Sequence, residues 1–388
     1  MAAEVFISVT PRDPVIARDG RPFGMGQGNR MRSLAFPVPS MTAGAVRTLI
    51  GQLADMRFDE KDVRELKNIS VSGPLPCYKG KLFFPAPADI FVYESSSGSE
   101  VQRNHVRLRP SQMKPHEGTY PPLSVSPILI TNDDKPADSA AFWSSDVMGN
   151  WLADLDIVTP PKEQNIDDGY MPPLKQDIRT HVKIDPKLYA AEESMLFSTS
   201  GLDFTVQGST EPLEVSLRVE TDRGETAEKL ATLGLFNPLG GERRLTLWRG
   251  QPNPGWTPPQ PVNEAFGKGV QAVRLILATP AVYRDGWRPD WIAPSDNVGI
   301  PPHSNVTLKL MSAIVNRWQP VSGFSFERGK TGPKPIRRMV PSGSVYFFKV
   351  MQGNPMDLLR DCWLRSTCSG PEVANDGFGL GLWGAWRI

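Results

Sequence analysis

The sequence predicts an α+β fold, and three observations support this class. Strand-like and helix-like segments are interleaved, but many adjacent strand segments are joined by turns too short for the crossover that parallel strands need. Glycine and proline make up about 19% of the 388 residues, against an average of about 12%, which indicates many loops. Hydrophobic residues amount to 39%, with 10 Trp and 17 Phe, so the composition is that of a folded chain.

The length predicts more than one domain, since domains average roughly 150 residues. In each half, a strand–helix–strand–strand–helix–strand order can be traced, which is the order of a ferredoxin-like (RRM-like) unit. We therefore predict tandem ferredoxin-like domains with long loop insertions and a C-terminal glycine-rich loop. The predicted domains are residues 1–195 and 196–388, with the seam between Asp185 and Pro212.

The N-terminal segment predicts a strand, a long loop and a helix. Residues 5–9 are rich in β-branched side chains, and residues 10–39 form a glycine-containing loop. A loop of about thirty residues inside a domain is usually functional or disordered. Ser40 or Thr42 is expected to cap the following helix, because apolar residues then recur at helical spacing. These apolar positions are Val46, Leu49, Ile50 and Leu53.

The rest of the chain continues as short strands with a few helices. Residues 213–220 alternate strictly between apolar and polar, which predicts a half-buried strand. Residues 377–386 predict a glycine-studded loop that runs into a terminal strand. Helices are predicted over residues 140–155, 225–235 and 355–365. Further strands are predicted over residues 68–71, 81–84, 90–93, 179–184, 204–206, 245–248, 270–278, 305–318 and 336–350.

Composition and cysteine content exclude several classes of protein. The N-terminus lacks the pattern of a signal peptide, and no apolar run approaches 18 residues, so the sequence predicts a cytoplasmic protein without a membrane span. Cys77, Cys362 and Cys368 are too few and too scattered for a disulfide framework or a four-thiolate zinc site. We expect buried, reduced thiols, no metal and no cofactor.

Two apparent nucleotide-binding motifs lack the required context. Residues 379–384 match G-x-G-x-x-G, but only four residues follow, too few for the helix and second strand of that unit. Residues 329–331 resemble the end of a phosphate-binding loop, but Pro333 and Pro335 prevent the helix that should follow. The four histidines form no close pair. The sequence therefore predicts a protein that is not an enzyme.

Charge is segregated along the chain although the net charge is only +1. Residues 18–47 contain five arginines against Asp19 alone, and residues 103–114 and 328–338 contain basic residues and no acid. Residues 133–156 contain six aspartates and one lysine. The arginine fork suits phosphate oxygens, so the basic stretches indicate a surface that follows a nucleic-acid backbone. The alternative is a set of solvated loops whose counter-charges are brought in by folding.

Several motifs, in order along the chain, are similar to those of one protein family. They are DGRPF (19–23), FPVPS (36–40), GAVRT (44–48), GPLP (73–76), LFFPAPAD (82–89), LGGERR (239–244), VPSGSVYFF (340–348) and DGFGLGLWG (376–384). On these motifs the chain resembles RAMP-superfamily CRISPR proteins, specifically the third subunit of type III-B (Cmr) effector complexes. The motifs span nearly the whole chain.

The resemblance implies tandem ferredoxin-like domains and a non-catalytic role in antiviral defence. Proteins of this family cap the guide (cr) RNA at its 5′ repeat-derived handle and dock on a large polymerase-like signature subunit. They also abut a backbone RAMP subunit. Target RNA is then an indirect partner, because a different RAMP subunit cleaves it.

The motifs and the basic stretches together nominate the RNA-binding residues. For the glycines of residues 377–384, the alternative is a tight loop that only allows neighbouring side chains to pack. For Arg243 and Arg244, the alternative is an intramolecular salt bridge with Glu242 or with another acid. The loop at residues 24–32 is longer and richer in glycine than the family pattern. The nominated residues are Arg18, Arg21, Arg30, Arg32, Ser40, Arg47, Gly240, Gly241, Arg243, Arg244, Lys334, Arg337, Arg338, Gly377, Gly379 and Gly381.

Two competing functions remain open from the sequence. One is an endoribonuclease of the guide-processing branch of the same superfamily, which generally uses a histidine near its first helix. Residues 1–104 contain no histidine, which counts against this function. The other is a scaffold that binds only protein, for which the Trp-rich C-terminal half would supply the apolar surface.

Overall fold

The computed structural model describes residues 3–21, 23, 29–97, 100–112, 123, 125–127, 135–325 and 331–387. In these residues, short antiparallel strands predominate over helices. The helices are α1 (Pro39–Leu53), α2 (Glu60–Lys67), α3 (Ser145–Leu152), α4 (Gly224–Ala231), α5 (Gln260–Gly267), α6 (Met356–Asp361) and α7 (Pro371–Asn375). The strands are β1 (Ala3–Pro11), β2 (Asn29–Arg30), β3 (Ser70–Tyr78), β4 (Lys81–Pro85), β5 (Ile90–Ser97), β6 (Glu100–Arg107), β7 (Pro110–Gln112), β8 (Val125–Pro127), β9 (Lys135–Pro136), β10 (Phe142–Ser144), β11 (Tyr170–Met171), β12 (Lys175–Ile184), β13 (Ala191–Asp203), β14 (Glu214–Thr221), β15 (Gly234–Leu239), β16 (Arg244–Gln251), β17 (Ala272–Leu277), β18 (Val298–Gly299), β19 (Thr307–Ile314), β20 (Gln319–Val321), β21 (Phe324–Ser325), β22 (Gly332–Pro333), β23 (Arg337–Met339), β24 (Val345–Gln352) and β25 (Gly381–Ala385).

The chain forms two compact units, and each unit is assembled from three separate segments. Unit 1 contains residues 1–74, 174–252 and 320–338, and unit 2 contains residues 75–173, 253–319 and 339–388. The boundary predicted between residues 195 and 196 instead falls inside strand β13. The reason is long-range pairing, because β1 pairs with β14 more than 200 residues later, and the predicted domain of residues 1–195 does not contain β14.

Unit 1 is built on a sheet in the order β3-β14-β1-β16-β15, in which β1 pairs antiparallel with both β14 and β16. Ile7 and Val9 of β1 are fully buried, which fits the apolar pattern of this segment. A second sheet of unit 1 has the order β12-β13-β2. It places the short strand β2 parallel to β13, with Arg30 opposite Ser198.

Two local predictions for unit 1 were wrong. Helix α1 begins at Pro39 with Val38 as an N-cap that makes no side-chain hydrogen bond, so Ser40 and Thr42 lie inside the helix. Proline favours the first helical turn because its φ is already helical and its missing N–H is not needed there. Strand β14 is also not half-buried, because its polar residues Ser216 and Arg218 are buried as well. The hydroxyl of Ser216 accepts a hydrogen bond from Gln251, and Arg218 donates one to the hydroxyl of Ser72.

Unit 2 contains a sheet in the order β18-β19-β24-β17-β25, and all six residues of β17 are buried. It also contains the strands in the order β11-β10-β4 and the small sheet β6-β5-β9. The helix predicted over residues 140–155 is shorter, because residues 142–144 form β10 and the Ser144 hydroxyl then caps α3 by accepting a hydrogen bond from the N–H of Val147. Trp143, Trp151 and Trp383 are fully buried in this unit.

No helix among the described residues combines the length and the apolarity needed to cross a bilayer. Within the same part of the chain, no three His, Cys, Asp or Glu side chains are grouped as metal ligands would be.

Candidate nucleic-acid interface

Four of the nominated arginines meet in one cleft of unit 1. The cleft has a volume of about 140 Å³. It draws residues from the end of the segment that follows β1 and from the segment around β2. We call it the arginine cleft, and it is lined by Arg18, Asp19, Arg21, Phe23, Arg30, Met31 and Arg32.

Backbone hydrogen bonds hold the two walls of the cleft together. The N–H of Asp19 donates to the carbonyl of Arg32 at 3.2 Å, and the N–H of Leu34 donates to the carbonyl of Ala17 at 2.7 Å. The N–H of Met31 donates to the carbonyl of Ser198 on β13 at 2.8 Å. The two segments are therefore fixed to each other and to a long strand, although both belong to what the sequence predicts as one loop.

The cleft carries more positive than negative charge. Arg18, Arg21, Arg30 and Arg32 face a single acid, Asp19. Asp19 lies 3.3 Å from the Nε of Arg21, whose side chain is still 59% exposed. Arg18 donates from Nη2 to the carbonyl of Arg21 at 3.0 Å, which uses a donor but neutralises no charge. Arg30 and Arg32 are exposed and form no ion pair with any other described residue.

Phe23 lines the cleft and belongs to an aromatic cluster, and it is not among the residues nominated from the sequence. The guanidinium carbon of Arg18 lies 5.6 Å from the ring centroid of Phe23. The edge of Phe23 meets Phe197 with centroids 6.0 Å apart, and His181 stacks on Phe197 with centroids 5.2 Å apart. Nε2 of His181 lies 2.9 Å from the hydroxyl of Thr199. Phe23 stands in the DGRPF motif between arginines, and that interleaving is the signal that could have found it.

The third basic stretch adjoins the arginine cleft at Gly20. The N–H of Gly20 donates to the carbonyl of Pro320 at 3.3 Å, within unit 1. The N–H of Lys334 donates to the carbonyl of Gly323 at 2.7 Å, next to the pairing of β21 with β22. Arg337 and Arg338 are exposed on β23. This segment therefore adds basic residues beside the cleft, while Arg328 and Lys330 lie outside the described residues.

The LGGERR turn supports the segment that leads into the cleft. Gly240 has φ +74°, and a Cβ there would lie 2.6 Å from the carbonyl oxygen of Ile16, so only glycine fits. The N–H of Gly241 donates to the same carbonyl at 2.9 Å. Arg244 pairs with Glu242 at 2.7 Å, which is the alternative considered for it. Arg243 is exposed.

Two other nominated residues of unit 1 lie on α1. Arg47 donates from Nε and Nη2 to the carbonyl of Ile69, at 3.3 and 2.9 Å, and thereby ties the helix to the start of β3. These hydrogen bonds within the protein account for the half-buried position of Arg47, and no contact with RNA is needed to explain it. Ser40 is half-buried in the first turn of the helix, next to Met41, whose sulfur lies 3.3 Å from where a Gly240 Cβ would be.

The nominated glycines near the C-terminus are not on a surface. Gly377, Gly379 and Gly381 are buried in unit 2. A Cβ on Gly379 would lie 2.7 Å from the sulfur of Cys368, and one on Gly381 would lie 2.6 Å from Leu275. Gly377 and Gly379 also have φ of +90° and +70°. Packing and backbone conformation therefore explain these glycines, and RNA cannot reach them in this fold.

The second basic stretch lies in unit 2 and is matched by acids. Arg103 pairs with Glu94 at 2.9 Å, and Arg107 and Arg109 both pair with Asp154. The Arg107 guanidinium also stacks over the ring of Trp151, with its carbon 3.8 Å from the centroid. Burial lowers the pKa of Arg107 below its ordinary value, and the neighbouring positive charge of Arg274 lowers it further. Folding has brought the counter-charges here, as the alternative interpretation supposed.

The described cysteines and the cleft offer little for nucleophilic chemistry. Burial raises the pKa of Cys362 and of Cys368 to about 12, so both thiols are protonated at neutral pH. Cys77 is buried too. No histidine lines the arginine cleft among the described residues, and His181 lies behind Phe197 with its Nε2 on Thr199.

The fold and the cleft together define a class: a mixed protein of mostly antiparallel strands that presents a cationic, arginine-lined cleft suited to anions. The sequence also matches the model of one family over residues 7–386, and its description is CRISPR-associated protein (Cas_Cmr3). The chain therefore belongs to the Cas_Cmr3 family, which confirms its resemblance to subunits of type III CRISPR effector complexes.

Solved structures with a similar chain are distant in sequence. One is a cryo-EM structure of the type III-B Cmr-beta bound to cognate target RNA, with 15% identity, TM-score 0.48, and 88% of this chain and 86% of that chain covered. Another is the Csm3–Csm4 subcomplex of the type III-A CRISPR-Cas interference complex, with 12% identity, TM-score 0.39 and full coverage of both chains. A comparison with curated proteins found no match. The family assignment rests on the family match.

Proposed function

We propose that this protein is a non-catalytic RNA-binding subunit of a type III-B CRISPR effector complex, and that it caps the guide RNA at its 5′ handle through the arginine cleft. The observation that carries this proposal is the excess of three positive charges in a cleft that includes the exposed Arg30 and Arg32. Family membership supplies the biological context.

The chemistry of the cleft favours a phosphodiester backbone. A guanidinium can donate two parallel hydrogen bonds to phosphate oxygens and keeps its charge at every physiological pH. Four such groups from two chain segments can contact more than one phosphate, whereas a single small anion would leave positive charge uncompensated. The basic segment that holds Lys334, Arg337 and Arg338 adjoins the cleft and would extend the track.

We infer that each unit is built on a ferredoxin-like plan. In unit 1, the chain order β1, α1, β3, β14, α4, β16 is a split β-α-β arrangement, and the sheet places β14 and β1 at its centre. In unit 2, β17, β19, β24 and β25 repeat the same sheet order, with residues 278–306 in place of the first helix. The large polymerase-like subunit and a backbone RAMP subunit are proposed as protein partners on the family resemblance.

The lining of the cleft supports the proposed absence of catalysis. Arginine, aspartate, methionine and phenylalanine side chains line it, and none of them is a group whose ordinary pKa is close to neutral pH. An endoribonuclease of the histidine-dependent guide-processing branch would need such a group next to the scissile phosphate. RNA bound in the cleft is therefore expected to be recovered intact.

The test is binding of a fluorescein-labelled guide RNA with its 5′ handle, compared with the same RNA carrying a scrambled handle. The full chain is measured alone and together with its large-subunit partner, at 50 and 200 mM salt, which spans roughly the range where phosphate contacts lose affinity steeply. We expect binding that depends on the handle, weakens with salt and leaves the RNA uncut on a gel. Absence of handle preference even with the partner present would leave a protein-binding scaffold, and cut RNA would indicate a processing nuclease.

A further inference from the structure

Phe23 is an aromatic side chain in a cleft that is otherwise lined mostly by arginines. It stands between arginines in the sequence and lines the same cleft as Arg18, Arg30 and Arg32. Its side chain is half-buried, so part of the ring stays accessible from the cleft. A site that held only phosphates would need no aromatic ring, because phosphate oxygens gain nothing from an apolar face.

The ring of Phe23 also packs against a neighbouring aromatic side chain, which is itself held in place. Phe197 of β13 meets Phe23 edge to face at 6.0 Å, and His181 of β12 stacks on Phe197 at 5.2 Å with the two planes only 17° apart. His181 is itself held by the hydroxyl of Thr199 at 2.9 Å. This chain of contacts within unit 1 packs Phe23 against the paired strands β12 and β13. A fixed ring gives up less conformational entropy on binding than a mobile one.

Arg18 joins the ring to the charged groups of the cleft. Its guanidinium carbon lies 5.6 Å from the centroid of Phe23. A phosphate bound by Arg18 would therefore bring its own nucleotide within reach of the ring. The cleft volume of about 140 Å³ is many times the space that one water molecule needs, so the cleft has room for a larger group.

We propose that Phe23 is a stacking platform for one unpaired nucleobase of the bound RNA, while the neighbouring arginines hold the adjoining phosphates. Interleaved aromatic and arginine side chains are the pattern by which single-stranded RNA is recognised, with splayed bases on the rings and the backbone on the cations. Phe197 and His181 are positioning residues that act through Phe23. This inference rests on the proposed function, since it takes RNA as the ligand of the arginine cleft.

The test couples a protein change to an RNA change. The full chain with its large-subunit partner is titrated with fluorescein-labelled handle RNA and with a series in which one nucleotide at a time is abasic. We expect Phe23→Ala to lower the affinity for intact RNA about tenfold, as loss of one stacked base does. At one nucleotide position, the abasic RNA should show the same loss, and Phe23→Ala should then cause no further loss.

Two further variants separate stacking from a structural role. Phe23→Trp keeps a ring and should bind intact RNA at least as well as the wild type. Phe36→Ala is the matched control, because Phe36 is also half-buried and pairs with a phenylalanine at 6.0 Å, Phe204, but does not line the cleft. The salt dependence should not change in Phe23→Ala, since a stacked base releases no counterions.

The outcomes distinguish the inference from the function on which it rests. Handle-dependent binding with no coupling at any nucleotide position, or with unchanged affinity in Phe23→Ala, would overturn the stacking role and leave the capping proposal standing. Loss of coupling together with loss of handle preference in the wild type would remove both. Coupling at one position on an RNA whose handle is scrambled would keep the stacking role and remove the handle preference.

Discussion

The arginine cleft of unit 1 and the arginine cluster of unit 2 use the same residue type for opposite purposes. The arginine cluster consists of Arg103, Arg107 and Arg109 with the acids that pair with them. In the cleft, four arginines share one acid, and Arg21 is still 59% exposed despite its contact with Asp19. In the cluster, Arg107 is only 12% exposed and meets Asp154, which is 5% exposed. One arrangement leaves charge available to a ligand, and the other consumes it inside the fold.

The contrast is sharpest at Arg274, which completes the cluster in unit 2. Its Nη1 donates to Asp89 at 2.7 Å, and both side chains are almost entirely buried. Asp89 also accepts a hydrogen bond from the indole N–H of Trp151 at 2.8 Å, and Arg274 donates to the carbonyl of Trp151. A buried guanidinium is tolerated when its charge is paired, and here Asp89 pairs Nη1 while the carbonyl of Trp151 accepts from Nη2. An arginine-rich stretch therefore becomes a ligand site only where folding fails to bring acids to it.

The largest expected effect is on the buried pair of unit 2. Asp89→Asn keeps the acceptor for Trp151 but removes the charge that compensates Arg274, so we expect the free energy of unfolding to fall by about 3–5 kcal/mol. Urea denaturation measures this change. The control Asp167→Asn breaks an exposed pair with Lys79 and should leave the midpoint nearly unchanged. Equal midpoints for the two variants would show that the buried pair does not stabilise unit 2.

The buried C-terminal glycines should respond as packing residues. Gly379→Ala introduces a Cβ at φ +70° and 2.7 Å from Cys368, so we expect a loss of about 2–4 kcal/mol in the free energy of unfolding. Gly44→Ala is the control, because Gly44 lies in α1 with nothing within 4 Å and should gain about 0.5–1 kcal/mol. A stable Gly379→Ala variant with weakened RNA binding would contradict the assignment to the core.

Arg47 should behave like the arginines of unit 2 although it lies in unit 1. Arg47→Ala leaves the carbonyl of Ile69 without its two donors, which we expect to cost about 1.5–3 kcal/mol of stability. RNA affinity, measured by fluorescence anisotropy on the folded variant, should stay at the wild-type value. Arg47→Lys retains a donor and should recover part of the stability. Reduced RNA affinity with unchanged stability would return Arg47 to the interface.

The smallest expected effect is a pH dependence at His105 in unit 2. Burial lowers the pKa of His105, and the charge of Arg107 lowers it further. The unfolded chain therefore binds a proton more readily than the folded one, so stability should fall as the pH drops below about 6.5, the ordinary histidine value. Urea titrations at pH 7.5 and 5.5 should show this fall, and His105→Gln should show a smaller one. An equal fall in both proteins would assign it to other groups.

The sequence could predict local elements better than their assembly. The apolar spacing of Val46, Leu49 and Ile50 predicted helix α1, and these residues are buried. The domain boundary could not be read from local patterns, because the partner of β1 lies more than 200 residues away. Pro39 at the start of α1 is a local signal that the prediction of a Ser40 or Thr42 cap overlooked, whereas the strand before α3 depends on the surrounding fold.

For the candidate site, too, the sequence shows which residues are charged but not which of them the fold brings together. A charge count predicted Arg18, Arg21, Arg30 and Arg32, which the structure brings together. The same count marked residues 103–114, because no sequence pattern shows that Glu94 and Asp154 fold onto them. A glycine can be required by a bound ligand or by packing in the core. The two cases differ in which atoms a Cβ at that position would contact, and only the fold shows those atoms.

The most direct test of the account compares arginine pairs from the two regions. The affinity of single-stranded handle RNA is measured against salt for Arg30→Ala/Arg32→Ala and for Arg109→Ala/Arg387→Ala, whose arginines are 43% and 84% exposed beside Asp154. If the arginine cleft binds the RNA backbone, the first pair should weaken binding and reduce the slope of log affinity against log salt by about 1.4, roughly 0.7 for each phosphate of a single strand that is no longer neutralised. The second pair should change neither quantity. Equal slopes for both variants, or a reduced slope only in the second, would contradict the assignment of RNA binding to the arginine cleft.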